Sequence, residues 1–425
     1  MRNFIWLILL FIIFSCKKKD DEQMPSITIS EPISTNFEVF DTIWIKAKVS
    51  DNEVVKSVTY GITDSNADYI ANAKVKTYNS KDVNFSGYII LNDVRIESGN
   101  YTLTLTAFDG SNTKKQFKQI YIKALTKKLE KIYVITETTN NTKVYELYEQ
   151  NNIELKYTLN DNITDIAINS YLRSMYLLDK SGNLKSISLN NFEPFWEVSN
   201  LNNNLVEYNG KLMIYDDFCF ASVKKNNIQA FDINGNVRKT AVSDLYAYEP
   251  SCFTIKSNFF VNFTYNNSFS SNYIEKIYYA TGASQTYYSV NFDVIDILPL
   301  NSNEIIAFGN KQDTMKIVTL NLDATQLQYV DIDISEKLIS VVKIGADKFI
   351  FSTNNSLYKY DRNYLGHAIY INDIMADYLI YEELNEMLYC INNNQVKVLN
   401  LGDYSVINTF VLPENVIKII FEYNK

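Results

Sequence analysis

Residues 129–425 carry one short-strand unit over and over, about seven times, and that repetition restricts the fold more than any other property of the chain. The clearest copy spans 164–198. Asp165-Ile166-Ala167-Ile168 is followed by Ser174-Met175-Tyr176-Leu177-Leu178, a Ser181-Gly182-Asn183 turn, Leu184-Lys185-Ser186-Ile187-Ser188-Leu189 and Pro194-Phe195-Trp196-Glu197-Val198. Four strands joined by three turns predict one blade of a β-propeller. Innermost strands centred near Ile166, Leu205, Phe253, Ile295, Val341, Leu379 and Ile419 recur at about 42 residues, the period of four-stranded blades.

The two ends of this region complete each other. Residues 131–135, 143–148 and 153–159 read as the second, third and fourth strands of a blade that lacks its first, and 416–421 reads as a first strand with nothing after it. Pairing them closes the ring and removes a free sheet edge, which gives seven blades. Composition agrees: Tyr 32 and Phe 24 against Gly 12 and Pro 6 favour strands. Asparagine supplies turn positions that glycine usually fills, as in Asn234-Gly235, Asn354-Asn355 and Asn392-Asn393-Asn394. The copies lack a Trp-Asp ending. Their rhythm, as in Lys348-Phe349-Ile350-Phe351-Ser352 with Ser356-Leu357-Tyr358-Lys359-Tyr360, resembles the degenerate YncE- or quinoprotein-type propellers.

Residues 25–124 form a separate unit with strict two-residue alternation. Ile43, Ile45, Ala47 and Val49 alternate with Trp44, Lys46 and Lys48; Val58, Tyr60 and Ile62 form a second such strand; Tyr101, Leu103, Leu105 and Ala107 precede an Asp109-Gly110-Ser111 turn. This predicts a β-sandwich. The stretch 99–109 resembles the late strand of bacterial Ig-like domains, with Tyr101 placed as their corner tyrosine. Such domains act mostly as spacers. A short basic-polar linker, 125–130, follows.

The first fifteen residues hold one charge, Arg2, and an apolar run from Phe4 to Ile13, too short to span a bilayer and suited to a signal-peptide core. The run ends at Ile13-Phe14-Ser15-Cys16, which resembles a bacterial lipobox, so Cys16 is expected to carry the lipid after cleavage of 1–15. Lys17-Lys18-Lys19-Asp20-Asp21-Glu22, within the tether 16–24, resembles the export signal of Bacteroidota surface lipoproteins. The resemblance implies a palmitate-bearing outer-membrane lipoprotein exposed at the cell surface.

Sequence motifs for chemistry are few. His367 is the one histidine and sits beside Gly366 at a blade turn. Cys219, Cys252 and Cys390 fall in three different blades without C-x-x-C spacing and read as small core residues. No phosphate-binding loop, nucleophile elbow or metal motif is present, so no cofactor, no metal and no catalytic set are expected, and the chain is not read as an enzyme. A formal charge of −9 argues against a nucleic-acid partner.

Binding is expected at the mouth of the propeller channel. Acidic residues near the starts of innermost strands (Asp165, Glu249, Asp293, Asp377) and aromatic ones (Tyr246, Tyr248, Phe292, Tyr378) collect there, with Tyr246, Tyr248, Asp293 and Tyr378 the ligand-binding candidates. They suit a neutral or weakly cationic polar ligand such as a sugar or a corrinoid. The overall plan resembles Bacteroidota surface lipoproteins that work with outer-membrane transporters in nutrient capture, some of whose propeller members bind cobalamin. A structural subunit of an outer-membrane complex, or an adhesin, is the alternative; a propeller hydrolase using two carboxylates is the third reading.

Overall fold

The computed structural model describes residues 23–148, 152–199, 210–224, 227–243, 252–256, 258–266, 271–300, 303–323, 326–332, 334–364 and 367–425. The signal segment, Cys16 and the export signal lie outside them. Every regular element among the described residues is a strand, and the chain divides into two compact units at residues 127 and 128.

The first unit holds β1 (Ser26–Glu31), β2 (Asn36–Glu38), β3 (Thr42–Thr63), β4 (Lys74–Ile90), β5 (Gly99–Phe108) and β6 (Thr113–Lys123). They form one hydrogen-bonded path, β1-β3-β5-β6-β2, with β4 added along β3. The segments around Ile43 and Val58, expected as two strands, are the two halves of β3. Register shifts between Ser50 and Ser57 let the ladder continue through the bend. The first half of β3 pairs with β1 and the second with β5, so a single ladder wraps around one core. That core contains the alternating residues read from sequence: Ile43, Ile45, Val49, Val58, Ile62, Leu103 and Leu105 are fully buried. Tyr101 donates its hydroxyl hydrogen to the Glu97 carbonyl at 2.9 Å, a bond back to the backbone just upstream.

Among the described residues the second unit shows seven four-stranded antiparallel sheets. Six are consecutive in sequence. The seventh joins Asn415–Tyr423 to Leu129–Glu137, Thr142–Leu147 and Ile153–Leu159, as the ring-closure argument expects. The innermost strands are Ile163–Asn169, Leu212–Tyr215, Cys252–Lys256, Asp293–Pro299, Leu338–Lys343, Tyr378–Glu382 and Asn415–Tyr423. The second one differs from expectation. It starts at Leu212, whereas Leu205, the expected centre, lies outside the described residues.

The packing explains why the ring holds. Each pair of neighbouring sheets shares one apolar cluster, and the seven clusters run around the whole ring. The seventh sheet meets the sixth through Ile391, Val398, Val416 and Ile419, and the first through Tyr133, Ile135, Ile166 and Leu177. Second strands sit between inner and outer partners and are the most buried; all six residues of Ser174–Asp179 are inaccessible. Burial of each such aliphatic side chain contributes about 1.5–3 kcal/mol. A closed ring of up-and-down four-stranded sheets is a β-propeller.

Candidate functional site: a charged cavity inside the ring

The innermost strands enclose a cavity of about 790 Å³, within the size range of small-molecule sites. Its wall is set by a repeated local device. In four innermost strands the ladder slips by one residue: at Thr164, Ile295, Ile339 and Ile417. These are β-bulges, which re-aim the side chains beside them. The bulge residue and the one after it both line the cavity. The first of each pair gives a mostly apolar ring, Thr164, Ile295, Ile339 and Ile417. The second gives a polar ring, Asp165, Asp296, Ser340 and Lys418. In the fourth sheet Gly309 stands opposite Val294, next to the bulge. A Cβ there would lie 2.0 Å from the Asp293 carbonyl oxygen, so only glycine permits this approach.

Two members of the polar ring reach into the next sheet. Asp165 Oδ2 accepts from the Leu212 amide at 2.8 Å, and Ser340 Oγ accepts from the Leu379 amide at 3.1 Å. The residues just before those two leucines, Lys211 and Tyr378, hold equivalent places in the repeat and both line the cavity.

The charges differ sharply in how they are satisfied. Asp165 is buried. Its Oδ1 accepts from Lys418 Nζ at 2.5 Å and from the Ile166 amide at 2.9 Å, and Lys418 also donates to the Ile166 carbonyl at 2.7 Å. Burial alone would push the Asp165 carboxyl up, but the ammonium groups of Lys418 and Lys211 and the hydrogen bonds hold it below its ordinary value. Among the described residues Asp296 has one hydrogen bond, from the Ile297 amide at 2.8 Å. Burial pushes its carboxyl up to about 6, an effect that Lys211 and Lys418 only partly offset. Lys211 is open to water in the cavity yet ringed by protein. Desolvation works to lower it, and the charges of Asp165 and then Asp296 outweigh this and raise it. Among the described residues no hydrogen bond or ion pair reaches the Lys211 ammonium, and none joins it to Asp296.

The cavity thus holds a closed ion pair, Asp165–Lys418, and two open charges of opposite sign, with Ile295, Ile339, Ile417, Phe253 and Met213 as apolar wall. It can take a small dipolar molecule and can exchange a proton at Asp296 near pH 6. Among the described residues no group of three or more His, Cys, Asp or Glu side chains is placed to hold a metal ion.

Of the residues singled out from sequence, Asp165 and Tyr378 line the cavity, and Tyr378 is 49% exposed. Asp293 is exposed and bonded to Asn272 Nδ2 at 2.8 Å; it is not among the lining residues. Asp377 accepts from the Asn393 amide at 3.0 Å, and Phe292 packs between the third and fourth sheets. Tyr246, Tyr248 and Glu249 lie outside the described residues. Cys219, Cys252 and Cys390 are buried and outside any disulfide among the described residues, as expected of core residues, though Cys252 also borders the cavity. His367 is exposed in a turn. Sequence reasoning missed Asp296, Lys211 and Lys418. The signal for Asp296 and Lys418 was present as a recurring apolar-x-polar-apolar pattern: Ile163-Thr164-Asp165-Ile166, Val294-Ile295-Asp296-Ile297, Leu338-Ile339-Ser340-Val341 and Val416-Ile417-Lys418-Ile419.

Solved structures similar to this chain agree with the propeller and show the fold alone. A quinoprotein alcohol dehydrogenase-like protein from Bacteroides thetaiotaomicron is similar over 94% of this chain and 99% of its own, with a TM-score of 0.51 and 12% identity. U3-55K is similar over 65% of this chain and 86% of its own, with a TM-score of 0.50 and 6% identity. No family model matches the chain, and no curated protein matches it in sequence.

Proposed function

We propose that this chain is a non-catalytic binding protein displayed on a bacterial outer membrane, with the cavity of its propeller as the binding site. Residues 1–15 are the signal peptide, Cys16 carries the lipid, 16–24 form the tether, 25–124 an Ig-like spacer and 129–425 a seven-bladed propeller. The Tyr101–Glu97 bond and the alternation in β3 and β5 support the Ig-like reading. Seven sheets with seven shared clusters support the blade count. The observation that carries the binding reading is the cavity wall. Bulges turn charged side chains inward, and among the described residues the charges of Lys211 and Asp296 have no partner of opposite sign in contact. Desolvated charges with no such partner cost stability, and they persist where they serve function. The resemblance to Bacteroidota surface lipoproteins supports a role as an accessory to nutrient capture by an outer-membrane transporter.

Native mass spectrometry of the full chain released from membranes in mild detergent tests the binding reading. The wild type is expected to carry a small non-covalent adduct that Ile339→Trp, which projects an indole into the cavity beside Ser340, loses while keeping its melting temperature. A bare wild type, or an adduct retained by that variant, overturns it. The anchor is tested separately: Cys16→Ala is expected to leave the membrane fraction or remain uncleaved, and a variant that still labels with fatty acid contradicts the assignment.

A further inference from the structure

We propose that the cavity recognises a small zwitterion with an apolar body, its anionic group held by Lys211 and its cationic group by Asp296. This rests on the binding reading above and names the class of ligand.

The argument is one of charge accounting around the cavity. The Asp165 carboxylate and Lys418 ammonium neutralise each other at 2.5 Å, and amide and carbonyl groups of the strand wall complete their bonding. The Lys180–Glu137 pair, also on the wall, is closed at 2.5 Å. Among the described residues, Lys211 and Asp296 remain. They lie close enough to feel each other's charge, but no ion pair joins them. An apolar ligand would displace water from both and leave each unsatisfied, and a neutral polar one would give each hydrogen bonds but no opposite charge. An anion would satisfy Lys211 but face the carboxylates of Asp165 and Asp296. A cation would satisfy Asp296 but face Lys211 and Lys418. A molecule carrying both signs meets both groups with charge-assisted hydrogen bonds in a partly desolvated site. Its apolar part then lies against the ring of Ile295, Ile339 and Ile417, of which Ile295 is 39% exposed in the absence of ligand. Free amino acids with apolar side chains, and their dipeptides, have this pattern and fit the volume.

Isothermal titration calorimetry on the full chain in detergent, with leucine, phenylalanine and leucyl-leucine as probes, tests the assignment. Each probe is paired with its C-terminal amide, which lacks the anion, and its des-amino analogue, which lacks the cation. At least one zwitterion is expected to bind, with both analogues at least tenfold weaker. Lys211→Met should abolish the advantage over the amide, and Asp296→Asn the advantage over the des-amino analogue. Melting curves establish that both variants fold, and Trp44→Ala, on the other unit, should bind as wild type does. Absence of binding by all three zwitterions, analogues that bind equally well, or full affinity in Lys211→Met overturns the proposal. If mass spectrometry finds a cavity adduct that carries no paired charges, the ligand class falls and the binding reading stands. No occupant by either method removes both.

Discussion

Asp165 and Asp296 occupy the same place in two copies of the repeat, each just after a bulge and each on the cavity wall. Asp165 has become part of the framework. Lys418, on the last strand of the chain, closes onto it across the seam between the seventh and first sheets. Asp296 faces the same cavity with the Ile297 amide as its one hydrogen-bond partner among the described residues, and its charge is poorly accommodated. The contrast separates two uses of one local geometry. The bulge supplies an inward-pointing polar position, and whether that position is closed into the framework or left open depends on what the neighbouring sheet offers.

The largest way to break the comparison is to remove the seam. Deleting residues 416–425 strips the seventh sheet of its innermost strand. Buried Val416, Ile419 and Ile420 go with it, each worth about 1.5–3 kcal/mol. So does Glu422, whose carboxylate receives the Tyr133 hydroxyl at 2.8 Å and pairs with Arg173 at 2.6 Å. The expected result is loss of cooperative unfolding of the second unit in a calorimetric melt, with rapid proteolysis of 128–415. A truncated chain that melts as wild type does would make the strand a dispensable tail.

Lys418→Met is the next largest. It leaves the buried Asp165 carboxylate without its ion-pair partner, a loss of about 3–5 kcal/mol by denaturant unfolding. Unchanged stability would mean that the seam holds on apolar contacts alone. Gly309→Ala sharpens the other side of the comparison. The added Cβ meets the Asp293 carbonyl oxygen and the Phe292 ring, so the bulge that presents Asp296 must shift. A cost of about 1–3 kcal/mol is expected, together with weakened zwitterion binding. Full stability with full binding would show that the bulge does not depend on this close approach.

Much of the fold is legible in the residues themselves. Strand alternation, the repeat spacing and the orphan strand at 416–421 identify the closed ring, because burial imposes a period of two and an unpaired edge is costly. The second innermost strand was misplaced because its core is a short run, Leu212-Met213-Ile214-Tyr215, while Leu205-Val206 nearby has the same apolar look. The site was harder to read. Aromatic and acidic residues before strand cores led to Asp293, three positions short of Asp296. A bulge reverses which side chains face inward, and alternation alone cannot register that one-residue slip. Lys211 was open to inference from Tyr378, since both precede the leucine bonded by the preceding sheet, but this equivalence becomes visible only once the sheets are aligned in space.

The most direct test is to compare the stability of Asp296→Asn and Asp165→Asn at pH 7.5 and again below pH 4. The Asp296 carboxyl titrates near 6 in the folded chain, above its ordinary range, so its ionised form disfavours folding. Its contribution is favourable below the unfolded value and is lost as pH rises through about 6. Asp296→Asn is therefore expected to be more stable than wild type at pH 7.5, by up to about 3 kcal/mol, and the gain should fade as pH falls to 4 and below. Asp165 is held below its ordinary value, so its contribution is present above the unfolded value and is lost as pH falls through the folded one. Asp165→Asn is expected to lose about 3 kcal/mol at pH 7.5. Opposite signs at pH 7.5 are what a framework carboxylate and a site carboxylate require; two destabilised variants would contradict the division between them.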